Sequence, residues 1–237
     1  MTQPIVTEQI KDFKVNENSR NRTFNLEETF DDPSTTGKVA RFEFADDIGG
    51  GVTDVLLFDQ EGVGAPATVE NFLSYVEDEQ YDHSVIHRSI PGFIIQGGGF
   101  GVADSELVQL PAEEPVVNEF SPERSNLQGA IAVAKLEGDP NSGTNQWFFN
   151  LEDNSANLDE QNEGFTVFGQ VLDEEDFEPI KAIADLSTVN GGGAFSNVPL
   201  TDLAEPIDTN DLVFLVDILS SLKAWRFPRT TSLLRSG

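Results

Sequence analysis

The chain has no cysteine, one methionine, two histidines, two tryptophans and two tyrosines. Without cysteine there is neither a disulfide framework nor a thiolate metal site. Basic side chains are also scarce: 14 Lys and Arg stand against 42 Asp and Glu, giving a formal net charge of −28. Such a surface repels nucleic-acid phosphates and anionic lipid headgroups, so neither nucleic acid nor membrane is an expected partner. Long apolar runs are missing too. The most apolar late stretch, residues 212–219, is too short to span a bilayer and carries Asp217. There is no Gly-x-Ser-x-Gly elbow and no histidine in a Ser/His/Asp set, so covalent hydrolysis has no visible machinery. The start, Met1-Thr-Gln-Pro-Ile5, lacks a basic segment followed by an apolar run, and no signal peptide is read there. A polar extension and the lack of cysteine are compatible with export, and a periplasmic or secreted setting is expected ahead of a cytoplasmic one.

What the chain does have is phenylalanine, 18 of its 237 residues, enough aromatic surface for a packed interior. The excess of acid reads first as a solvated surface that keeps the protein soluble, as in a salty medium.

Three regions are expected: a polar extension over 1–36, one domain over 37–220, and a basic tail over 221–237. Residues 39–44 and 53–58 alternate in period two around a glycine-rich turn, a hairpin signal. In 66–76 the period changes. Val69, Phe72, Leu73 and Val76 fall at helical spacing, and Pro66 suits a first-turn position. Short apolar runs at 92–96, 129–134, 146–150 and 165–171, parted by Gly, Asn, Pro and Asp, argue for many short strands in a barrel or sandwich. A second helix is expected over 177–186 and a last strand over 212–219.

Several local patterns fall short of a known chemistry. Gly97-Gly-Gly99 lacks the strand–loop–helix setting and the Gly-Lys-Ser/Thr ending of a phosphate loop, so close backbone packing is expected there. His83 and His87 have the i, i+4 spacing of zinc-protease helices, but Ser84 stands where the motif needs Glu. Residues 153–164 begin like a calcium loop, yet Leu158 and Gly164 occupy positions that need Gly and Glu. No metal site is expected. Arg88 is one of six cations between Gly37 and Ser220, with Lys38, Arg41, Arg124, Lys135 and Lys181. Taken alone, an arginine beside an apolar strand ordinarily ends in a surface salt bridge.

Taken in order, several segments resemble the cyclophilin family over residues 37–220: Thr68-Val-Glu-Asn-Phe72, His87-Arg-Ser-Ile-Pro-Gly-Phe-Ile-Ile-Gln-Gly-Gly-Gly-Phe100, Asn118-Glu-Phe120, Asn126-Leu-Gln-Gly129, Gly143-Thr-Asn-Gln-Trp-Phe-Phe-Asn150, Leu158-Asp159 and Phe165-Thr-Val-Phe-Gly-Gln-Val171. The resemblance, to an acidic, bacterial-like member, implies a mainly β fold: an eight-stranded closed antiparallel barrel capped by two α-helices. It implies a peptidyl-prolyl cis/trans isomerase that needs no cofactor, acts as a monomer on proline-containing peptides and unfolded proteins, and works in a shallow groove outside the barrel wall. By motif, Arg88 takes the catalytic position, and Gln96 stands beside it, orienting it and reaching the substrate backbone. Phe93, Ile94, Phe148 and Leu158 line the proline pocket. Ala134 and Lys135 match the edge segment whose backbone bonds to the peptide, and Gln146 matches the polar rim.

Two departures matter. Asn157 stands where the family often has an aromatic residue, Trp in its best-known eukaryotic members, before Leu-Asp. Phe165, still counted among the substrate-binding residues, stands where the family usually has His. One aromatic wall and one polar contact are thus missing for the cyclic peptide cyclosporin, and weak binding is expected. Two other functions remain open from the residues: a module on the same fold that captures proline peptides without turnover, and an acidic cation-binding surface protein. The tail from Ser221 carries four cations and no acid. It reads as a disordered or foreign end, or as a segment whose Phe227-Pro228 enters a neighbour's groove.

Overall fold

A computed structural model describes residues 5–6, 30–31, 34–45, 51–203 and 208–222. Most of the 1–36 extension, the greater part of the 46–51 turn and the Phe227-Pro228 tail lie outside these residues.

The strands are β1 (Ile5–Val6), β2 (Phe30–Asp31), β3 (Lys38–Phe44), β4 (Gly51–Leu57), β5 (Ser84–Val85), β6 (Arg88–Ile90), β7 (Ile94–Gly97), β8 (Phe100–Ala103), β9 (Glu106–Gln109), β10 (Ala130–Val133), β11 (Trp147–Asn150), β12 (Val167–Val171), β13 (Thr188–Val189), β14 (Val198–Pro199) and β15 (Phe214–Leu222). Helices α1 (Pro66–Glu77), α2 (Ser155–Leu158) and α3 (Glu174–Ala184) complete the set.

Eleven strands form one antiparallel sheet in the order β6-β7-β11-β10-β12-β4-β3-β15-β5-β8-β9. The sheet curls strongly, because one core cluster gathers side chains from strands spread across it: Phe42, Val55, Ile95, Ile131, Phe149, Phe168 and Leu215. Among the described residues no pairing joins the end strands β6 and β9. The expected closed ring of eight strands is therefore drawn as an open ladder of eleven. The count differs for two reasons. Residues 84–90 are split into β5, which pairs with β15, and β6, which pairs with β7. The β8–β9 hairpin then extends the far end.

Helix α1 follows the expected stripe, burying Val69, Phe72 and Val76, and adds Tyr75. Its own flank supplies no side-chain cap. Glu119 does so from a distant segment: Oε1 accepts from the Ala67 amide at 3.2 Å, and Oε2 from the Thr68 amide at 2.7 Å and its hydroxyl at 2.8 Å. A carboxylate at a helix N-terminus satisfies unpaired amides and complements the dipole. Helix α3 begins three residues before the expected 177, since Asp173 accepts from the Asp176 amide and three acids occupy the first turn. Residues 153–160, which begin like a calcium loop, contain the single turn α2, with Asp153 accepting from the Ser155 amide at 3.0 Å. The last strand starts at Phe214 because Leu212 is drawn into a bridge with Leu200.

Candidate active site

Period two sends successive strand residues to opposite faces, and residues paired across antiparallel strands share a face. Register therefore decides which side chains meet. Arg88 pairs with Gln96, Gln96 with Phe148, Phe148 with Ala132, and Ala132 with Val167. That is one row across β6, β7, β11, β10 and β12. Ile94, two residues from Gln96, lies on the same face.

The neighbouring residues Ile95, Trp147, Phe149 and Ile131 face the main core. Strands β10 and β11 are thus apolar on both faces over 130–133 and 147–149, which is why those stretches read as unbroken apolar runs. The second face carries a smaller cluster of Phe58, Ile94, Ala130, Ala132, Phe148, Leu158 and Val167, with half-buried Phe93, Ala134 and Phe165 packed on it. Phe148 and Phe165 meet edge to face with centroids 5.7 Å apart.

The polar margin of this cluster is a relay of side chains. Arg88 Nη1 donates to Gln96 Oε1 at 3.3 Å, and Gln96 Nε2 donates to Gln146 Oε1 at 2.9 Å. Burial pulls the Arg88 pKa down from its ordinary value, but a guanidinium stays charged in proteins. Lys38, Arg41 and Lys181 pair with carboxylates, whereas Arg124 and Lys135 donate to backbone carbonyls. Arg88 joins none of the ion pairs among the described residues, so the surface salt bridge its composition suggested is not its arrangement.

The expected site residues Arg88, Gln96, Phe93, Ile94, Ala134, Gln146, Phe148, Leu158 and Phe165 are therefore brought together. Lys135 joins them through its side chain, whose Nζ lies 4.9 Å from the Phe165 ring centroid. The Ala134 amide donates inward to Gln146 O at 2.8 Å.

The glycine run packs as expected. A Cβ on Gly97 would come within 2.7 Å of the Trp147 ring, and one on Gly98, where φ is +80°, within 2.4 Å of Asn145 O. The backbone lies flush against Trp147, which leaves no phosphate cradle.

Sequence reasoning missed the buried polar frame beneath the apolar cluster. The Asp159 carboxylate accepts from Ser125 Oγ and from the Asn126 amide and side chain. Asn126 Nδ2 also donates to Phe165 O at 3.0 Å; Asn150 Nδ2 donates to Asn126 Oδ1; Asn154 Nδ2 donates to Asn150 Oδ1 and to Phe93 O, each at 2.8 Å in the Asn154 case. This chain fixes the backbones that carry Phe93 and Phe165. Its signal was the recurrence of Asn at 126, 150 and 154 beside apolar strands.

The histidines do not share a helix. His83 has φ +54°, and His87 lies between β5 and β6. His87 is 2% exposed, edge-on to Phe100 at 4.8 Å, with Nδ1 unpartnered among the described residues. Burial and the adjacent Arg88 charge lower its pKa to about 4. Among the described residues, no group of three or more His, Cys, Asp or Glu is placed to hold a metal, and no helix is long and apolar enough to cross a membrane.

Residues 48–204 match the family described as cyclophilin type peptidyl-prolyl cis-trans isomerase/CLD. A protein named peptidyl-prolyl cis-trans isomerase A from Dickeya dadantii (strain 3937) is 38% identical over 151 residues, covering 63% of this chain and 74% of its own length. Peptidyl-prolyl cis-trans isomerase B of Escherichia coli (strain K12) is 35% identical over 144 residues, covering 59% and 83%. A crystal structure of a Cryptosporidium parvum cyclophilin type peptidyl-prolyl cis-trans isomerase, obtained in the presence of the dipeptide Ala-Pro, superposes with a TM-score of 0.56 and 20% identity over 78% of this chain and 99% of that one. At that identity the likeness concerns the fold.

Proposed function

This chain belongs to the cyclophilin-type peptidyl-prolyl cis-trans isomerases, and from that premise we propose that it accelerates X-Pro rotation in unfolded or loosely folded proteins by arginine stabilisation of the twisted amide. The amide resists rotation because the nitrogen lone pair is delocalised into the carbonyl, with a barrier of ~18–20 kcal/mol. Uncatalysed exchange takes tens of seconds or longer. No nucleophile is needed. The enzyme must hold the proline ring and favour the geometry in which nitrogen has become pyramidal.

In this reading, the ring rests on Phe148, Phe93, Ile94 and Leu158, flanked by Phe165, and Arg88 donates to the freed lone pair or to the carbonyl oxygen. That bond is stronger in the twisted state than in the planar one, so it lowers the barrier. Gln96 holds the guanidinium and meets the substrate backbone, with Gln146 behind it. The backbone at Ala134 and Lys135 docks the peptide. The observation that carries the reading is the row itself: a half-buried cation in no ion pair among the described residues, registered beside an outward apolar cluster.

The same reading treats 84–90 as one bent strand. Ile86 and His87, the two residues between β5 and β6, donate to Val213 O at 3.0 Å and Gln96 O at 3.1 Å. Counting 84–90 once supports an eight-strand ring of that segment with β7, β11, β10, β12, β4, β3 and β15, capped by α1 and α3. Weak cyclosporin binding and a monomeric state, with the domain spanning 37–220, belong to the same proposal.

A proline-switch assay on wild type and Arg88→Ala tests it. At ~1.4 kcal/mol per tenfold, a contribution of ~4 kcal/mol from Arg88 predicts a loss of about a thousandfold in kcat/KM. An Arg88→Ala enzyme as fast as wild type overturns the mechanism. Background rates in both proteins point instead to a module that only captures proline peptides.

A further inference from the structure

Two walls of the proposed groove come from segments far apart in the chain, and both are irregular. One is the 134–139 edge. The other is the turn at 162–164, where φ is +50° at Asn162, +60° at Glu163 and +74° at Gly164. Three successive left-handed residues are unfavourable for the two that carry a Cβ, so the surroundings must hold them there. Gly164 is enclosed as well: a Cβ there would lie 2.3 Å from the Phe120 ring.

The holding contacts are reciprocal. Lys135 Nζ donates to Asn162 O at 2.9 Å and to Gly164 O at 2.6 Å. In return Asn162 Nδ2 donates to Leu136 O at 2.9 Å and to Asp139 O at 3.4 Å. Asn118 Nδ2 takes the remaining carbonyl of the turn, Glu163 O, at 2.8 Å. The turn leads directly into Phe165, whose amide donates to Leu158 O at 2.9 Å and whose ring lies beneath the Lys135 ammonium. A cation over an aromatic face is attracted by the ring quadrupole.

We infer that Lys135 is a positioning residue: with Asn162 it clamps the peptide-docking edge to the strained turn and so fixes the Phe165 wall against which the proline ring packs. This rests on the isomerase reading above and assigns the Lys135 side chain a role separate from its backbone. Lys135 touches no reacting atom. It acts through the 162–164 turn and Phe165, and a groove wall displaced by a fraction of an ångström changes how the ring is held.

Titration gives an independent handle. Burial lowers the Lys135 pKa to about 8, opposed by Glu163, the one charged group among the described residues that acts on it. Above that pH the amine keeps two N–H donors but loses charge assistance to its carbonyl bonds and the attraction to the Phe165 face.

The test uses the full chain as wild type, Lys135→Met and Lys135→Arg, with two readouts. Amide exchange at Gly164 and Phe165 by NMR needs no substrate; about tenfold faster exchange is expected in Lys135→Met, with Lys135→Arg close to wild type. In the isomerase assay, Lys135→Met is expected to lose about tenfold in kcat/KM, mainly through KM, with recovery in Lys135→Arg. Wild-type kcat/KM should fall about threefold across pH 8, while Lys135→Arg stays level. Unchanged exchange in Lys135→Met overturns the clamp. Faster exchange with unchanged kinetics overturns the positioning role. A wild type that accelerates nothing overturns the isomerase reading instead, and exchange alone then decides the clamp.

Discussion

Arg88 and Lys135 are both cations in a chain of net charge −28, yet neither takes a carboxylate among the described residues. An amide holds Arg88 and carbonyls hold Lys135, so each keeps its charge at a groove instead of neutralising it in an ion pair. His87, next in sequence to Arg88, follows the opposite logic. It is buried among Phe100 and Phe195, with no carboxylate among the described residues to favour its charged form. Its folded pKa of about 4 lies below the ordinary 6.5. Between those values the unfolded chain binds the proton more readily, so stability rises with pH through this window and is lost as pH falls through it. The full difference is on the order of 3 kcal/mol, complete below about pH 4 and absent above about pH 6.5. Urea unfolding of wild type and His87→Gln across this range checks it: the variant should show a shallower acid slope. Parallel slopes would mean that His87 is not the group that titrates.

At the scale of elements, the sheet and α1 depend on side chains lent by distant segments. Helix α1 has its expected apolar stripe and its proline at the first turn, but its N-terminal amides are satisfied by Glu119, some fifty positions on. Removing that carboxylate leaves two amides and the buried Thr68 hydroxyl without their partner. Glu119→Ala is expected to cost about 2 kcal/mol of stability and Glu119→Gln about half as much, since one carbonyl oxygen remains. Equilibrium urea unfolding measures both. An Ala variant as stable as wild type would show that solvent serves those amides equally well. The β6–β7 hairpin shows the same dependence: Phe93 closes its turn by donating to Ile90 O, and Asn154 and the Leu151 amide fix Phe93 O from another loop.

Across the whole molecule, 42 acids and 14 bases leave self-repulsion that the compact state must bear. The described ion pairs use only Lys38, Arg41 and Lys181, each of which keeps more than a third of its side chain exposed. Screening shortens the reach of this repulsion from ~10 Å at about 0.1 M salt to ~3 Å at about 1 M. Stability in urea is therefore expected to rise with NaCl over that range, with the isomerase rate on an uncharged peptide changing little. Stability that is flat or falls with salt would mean that local pairing outweighs the net field. The same repulsion disfavours association between copies.

Much was legible in the residues alone, because it is local. Alternation at 39–44, the helical stripe at Val69, Phe72 and Val76, and the ordered motifs around Arg88 and Phe148 depend only on neighbours a few positions away. Other features were decided by which strands pair and in what register. Period two says that a residue faces one side or the other, but only the pairing of β6, β7, β11 and β10 aligns Arg88 with Gln96, Phe148 and Ala132. Ile94 belongs with Phe148 for that reason, and Ile95 with the core. The Glu119 cap, the asparagine chain beneath Phe93 and the Lys135–Asn162 clamp join segments twenty to sixty residues apart. No local pattern encodes such contacts, because they form only when the sheet has curled and brought those loops within hydrogen-bonding distance.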